Sequence, residues 1–138
     1  MTRFLLIYAA TALILFPLDL LWLKYVAREF YVARMGDLLL PEPRLGIAAL
    51  FYLVYVAGIA WFAILPNLAS GSILAALLAG AGLGVLAYGT YDITNLSTLR
   101  GFPVSVALTD LAWGTVLTAV SAAGGLYIAT RWFGVAAD

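Results

Sequence analysis

Three aspartates, Asp19, Asp92 and Asp110, lie inside or at the ends of apolar stretches long enough to cross a lipid bilayer. A carboxylate at bilayer depth costs about 2.5–3.5 kcal/mol at the centre of a helix and less toward the interface. Such a group is expected to face protein or water and to do something there. It can accept hydrogen bonds, exchange a proton or neutralise a cation. Three carboxylates gathered in one place would repel one another when ionised, which makes proton exchange part of the expectation. The chain has no histidine and no cysteine, so imidazole zinc sites, haem ligation, serine triads and thiol nucleophiles are excluded. No catalytic residue, metal site or cofactor is expected.

The elements that must position these groups follow from composition. The 138 residues are 65% hydrophobic and 10% charged, with a mean hydropathy of +1.07. Soluble domains carry about 25% charged residues, so the chain belongs to an all-α integral membrane class. Its length suits a single transmembrane domain over 1–138. Seven basic and seven acidic residues cancel, and no charge field points to nucleic acid.

Four continuous apolar runs approach the ~20 residues of a spanning helix: 4–23, 45–65, 72–91 and 104–130. Their continuity argues against barrel strands, which alternate and are shorter. Residues 24–35 hold no helix breaker, so the first helix is expected to leave the bilayer and end near Gly36, before the rigid turn at Pro41 and Pro43. The expected helices are 4–35, 45–65, 72–96 and 104–131, in one four-helix bundle. The start of the chain has the look of a signal peptide, but Pro17, Asp19, Trp22 and Lys24 follow instead of a small-residue cleavage site, so the first span is expected to stay.

Connections one and three carry Lys24, Arg28, Arg34, Arg44 and Arg100, against Arg3 and Arg131 on the other side. That asymmetry predicts both termini outside the cytoplasm. In either orientation the aspartates share one level. At 1.5 Å per residue, Asp19 lies about 7 Å above Lys24, Asp110 about 10 Å beyond Pro103 and Asp92 about 12 Å before Arg100.

Helical spacing then predicts which faces turn inward. Gly80, Gly84, Tyr88, Asp92 and Asn95 share one face of the third span, and Asp110, Gly114, Thr118, Ser121 and Gly125 one face of the fourth. Small residues along such faces let membrane helices approach closely. On the first span the corresponding face holds Tyr8, Ala12, Leu15, Asp19 and Trp22. The candidate ligand-binding residues are Asp19, Asp92 and Asp110, with Asn95, Tyr88 and Tyr91 as hydrogen-bonding groups and Arg100 or Lys24 offsetting charge. A structural role is the competing reading, in which the carboxylates pair with Lys24 or Arg100 or accept bonds from Tyr88, Tyr91, Thr94 and Asn95.

Other patterns carry less. Gly80-Ala81-Gly82-Leu83-Gly84 lies inside an apolar span with no preceding strand, so helix packing explains it better than nucleotide binding. Asp-Leu-x-Trp occurs at Asp19–Trp22 and again at Asp110–Trp113, near the same surface, where tryptophan is enriched anyway. The charges of the first connection do not segregate to one face, which leaves headgroup contact and a solvated helix as equal readings.

The block Tyr88-Gly89-Thr90-Tyr91-Asp92-Ile93-Thr94-Asn95-Leu96, the following Leu99-Arg100-Gly101 and the stretch Asp110-Leu111-Ala112-Trp113-Gly114-Thr115 resemble the DUF2177 family of uncharacterised bacterial membrane proteins. Asp19-Leu20-Leu21-Trp22 fits the same family, and the likeness covers essentially the whole chain. The resemblance implies a small multi-span inner-membrane protein and carries no assigned catalytic residues. The leading expectation is binding or transport of a proton, a cation or a small cationic or lipidic solute. The alternatives are a membrane enzyme acting on lipids and an accessory subunit of a larger complex. Membrane lipid is the expected partner, with a homo-oligomer or larger assembly where transport needs a wider pathway.

Overall fold

The computed structural model describes residues 1–136 and is helical throughout its elements. Helix α1 covers Thr2–Trp22 and passes without a break through a π-helical turn, Leu23–Ala27, into α2, Arg28–Met35. Gly36 ends this rod at φ +47° and ψ −118°, a conformation that side chains rarely tolerate, and a 3₁₀ turn follows. Helix α3, Leu45–Ile59, runs into a second π-helical turn, Ala60–Ile64, and a 3₁₀ turn at Leu65–Asn67. Helices α4, Ile73–Thr98, and α5, Val104–Arg131, complete the chain. Ser72 caps α4 by accepting the Ala75 amide at 3.1 Å, and Pro103 precedes α5 where its missing N–H costs nothing.

Four of these rods are long and apolar enough to cross a membrane: Thr2–Leu38, Leu45–Asn67, Ile73–Thr98 and Val104–Arg131. Helix α5 is the central one. Thirteen of its residues are buried, against four in α4, because it packs on α1 along one side and α4 along the other. The α4–α5 contact is closest where glycines meet. A methyl group on Gly84 would lie 2.8 Å from the Gly114 carbonyl and the Thr115 Cα, and one on Gly80 would lie 2.7 Å from the Ala122 methyl. The predicted glycine face of the third span is therefore the packing face, and its buried members, Ala76, Gly80, Gly84 and Asp92, fall at multiples of four.

The first span differs in detail from its expectation. Its buried stripe is Ile7, Thr11, Leu15 and Asp19 rather than the line through Tyr8 and Ala12. Tyr8 instead turns to α3 and donates to the Leu53 carbonyl at 3.0 Å. The second span packs mainly through its π-helical turn, where Ala60, Ala63 and Ile64 are buried and touch α1, α4 and α5. Over residues 45–54 of α3 no side chain is fully buried, and Tyr52 alone is partly so, packing beside Phe16. The span converges on the bundle at one end and leaves a gap toward α4 at the other.

Candidate functional site

Asp110, in the second turn of α5, borders two clefts. It stands close enough to Asp92 on α4 and to Asp19 on α1 to interact electrostatically with each. Among the described residues, no group of three or more acidic, histidine or cysteine side chains could hold a metal ion.

Each carboxylate has a different environment. Asp19 is 6% exposed and accepts the Trp113 Nε1–H at 3.2 Å. The Trp113 ring stacks on Trp22, with centroids 4.4 Å apart and planes 7° from parallel. Asp110 is half-buried and accepts a short 2.6 Å hydrogen bond from the Tyr31 hydroxyl. Asp92 is fully buried, and neither of its carboxylate oxygens has a hydrogen-bond partner. An unpartnered buried polar group carries its full desolvation cost, and Asp92 leaves two such oxygens inside the bundle.

These partners correct the expected ones. Among the described residues neither Lys24 nor Arg100 pairs with a carboxylate: Lys24 lies over the Tyr25 ring, 5.0 Å from its centroid, and Arg100 is exposed beyond the end of α4. A cation on a long chain reaches water from those positions, whereas an indole and a phenol stay at depth with their polar atoms inward. Asn95 is half-buried beside Tyr91, whose hydroxyl it approaches.

Tyr31 was not among the candidates, because the segment after Lys24 was expected to run free. The π-helical turn accounts for its return. An extra residue in that turn changes the direction of the side chains that follow. Phe30, Tyr31 and Met35 then pack against Phe102, Val106 and Ala107. Aromatic residues of α2 falling on the side that faces the third connection were the only available sign.

Two clefts meet at Asp110. The larger, about 280 Å³, is lined by Phe51, Tyr52, Tyr55, Ala87, Tyr88, Tyr91 and Asp110, and lies in the gap between α3 and α4. The smaller, about 170 Å³, is lined by Tyr31, Met35, Leu39, Tyr91, Phe102, Val106 and Asp110. Tyr91 and Asp110 belong to both. Tyr88 is held by a close approach: its ring covers the Cα of Gly114, where any Cβ would collide with it. Tyr55 meets Tyr88 edge to face at 6.2 Å and shares a 2.7 Å hydrogen bond with Thr118. Tyr52 and Tyr88 lie within electrostatic reach of Asp19 and so link the cleft to the first helix. Tyr52 and Tyr55 escaped sequence reading because the second span carries no charge to draw attention to its polar side.

Such an arrangement can accept a positive charge, store a proton, or both. It holds carboxylates, phenolic hydroxyls and ring faces.

Searches against curated proteins and against solved structures returned no match. A family model described as "Predicted membrane protein (DUF2177)" matches residues 4–127, which include all three aspartates and every residue lining the larger cleft. The chain therefore belongs to the DUF2177 family of membrane proteins.

Proposed function

We propose that this membrane protein binds a small cationic or lipidic solute at Asp19, Asp92 and Asp110 and exchanges it for a proton. The observation that carries the reading is Asp92, wholly buried with both oxygens unpartnered and next to an Asp110 that borders two clefts. A buried carboxylate with no fixed partner is favoured only if something mobile completes it. A proton and a cation are the two species that do so. Tyr88, Tyr91 and Asn95 supply hydrogen bonds around the bound species, and Arg100 stays at the rim. The cytoplasmic membrane of a bacterium is the proposed location, with both termini outside, on the strength of the five basic residues in connections one and three. Four helices enclose little space, so movement across the bilayer would use a second copy.

The test is proton release on cation addition, read with a pH dye in proteoliposomes of the full chain. Asp92→Asn and Asp110→Asn are expected to abolish the release, while Asp37→Asn, in the turn after α2, leaves it intact. Cation-dependent release that persists in both site variants removes the proposal.

A further inference from the structure

We propose that the cleft between α3 and α4 is a receptor for the ammonium head of an amphiphile that enters sideways from the bilayer. The inference rests on the cation-binding reading above and narrows it to one chemical class.

The walls carry the class. Phe51, Tyr52, Tyr55, Tyr88 and Tyr91 surround about 280 Å³ with Asp110 at the margin. Ring faces attract organic cations, and the attraction grows once water is excluded. A hard metal ion instead wants six or more oxygen ligands. This cleft offers one carboxylate and a few phenols, of which Tyr55 is already bonded to Thr118. The rings are braced rather than loose: Phe51 stacks on Tyr55 at 6.3 Å, Tyr55 meets Tyr88, and Tyr88 is seated over Gly114. The charge is right as well. Asp110, which already accepts the Tyr31 hydroxyl, borders the cleft, and Asp92, buried and without a hydrogen-bond partner, lies within electrostatic reach of it, so a cation in the cleft meets acidic side chains.

The mouth carries the route. The second span meets α4 chiefly through Ala60–Ile64, so the Arg44 end of α3 stands apart from the α4 end that bears Tyr88 and Tyr91. Phe51 and Tyr91, at the opening, are 65% and 55% exposed. In a spanning bundle that exposure is to acyl chains, so an occupant with an apolar tail can reach the rings without crossing water.

The experiment is native mass spectrometry of the full chain released from maltoside micelles, offered phosphatidylethanolamine, phosphatidylcholine or phosphatidylglycerol of equal chain length. One saturable ammonium-lipid adduct is expected, retained at least about tenfold over phosphatidylglycerol. Phe51→Leu and Tyr91→Leu keep the apolar volume, and each should cut retention about three- to tenfold. Asp110→Asn should erase the headgroup preference. Equal retention of all three lipids overturns the proposal, as does a preference that survives both leucine variants. Binding of soluble tetramethylammonium with no ammonium-lipid adduct overturns it too, because the occupant would then come from water. Proton release on adding an inorganic cation, still dependent on Asp92 under any of these results, would leave the broader aspartate reading standing.

Discussion

Trp113 lies flat against Trp22 at 4.4 Å and, with the same indole, donates its N–H to Asp19. One side chain of α5 thus satisfies a carboxylate of α1 and roofs it with two stacked rings. The two Asp-Leu-x-Trp stretches therefore meet across antiparallel helices, and the tryptophan of one serves the aspartate of the other. Trp113→Phe keeps the stack and removes the donor, leaving a buried acceptor unpaired. The expected loss is about 1–3 kcal/mol of unfolding free energy. Denaturant titration in micelles measures it, and an unchanged midpoint would show that Asp19 finds another donor.

Asp92 predicts the opposite sign. Replacing an unpartnered buried carboxylate with a similar-sized apolar group removes a desolvation cost, so Asp92→Leu should stabilise the bundle by about 1–3 kcal/mol while abolishing proton release. Thermal unfolding and the liposome assay, run on one preparation, check both halves. A less stable Asp92→Leu protein would mean that this carboxylate holds helices together.

Tyr31 ties the first rod to α5 through the 2.6 Å bond to Asp110. Tyr31→Phe keeps the ring packed and removes that bond, at a cost of about 1.5–3 kcal/mol for a hydrogen bond to a charged group. The loss should be local. Hydrogen exchange is expected to speed up over residues 28–35 while α4 and α5 stay protected. Uniform change across the chain would argue against a latch.

The glycine contacts allow a paired comparison. Gly84→Ala forces α4 and α5 apart, because the new methyl meets backbone at 2.8 Å, and over-packing of this kind costs about 1–3 kcal/mol. Gly82→Ala, two residues away with nothing within 4 Å, should shift the unfolding temperature little in either direction. The two variants differ by one helical face. Equal effects would show that propensity, not approach, governs this helix.

Sequence alone determined the four helices long and apolar enough to cross a membrane, the helical class and the inward faces of α4 and α5. Those properties are local: hydropathy over twenty residues and a repeat of three or four decide them, and Gly80, Gly84 and Asp92 are legible because they obey that repeat. Tertiary structure alone decided the partners. That Asp19 takes Trp113, that Asp110 takes Tyr31 and that Asp92 takes neither follows from helix azimuth and from a π-helical turn at Leu23–Ala27 that redirects α2. A rotation of one residue, about 100°, moves a side chain from core to lipid without altering composition or spacing. The aromatic cleft belongs to the same category. Its walls come from α3 and α4, whose separation is set by where Ala60–Ile64 lets the second span settle on its neighbours.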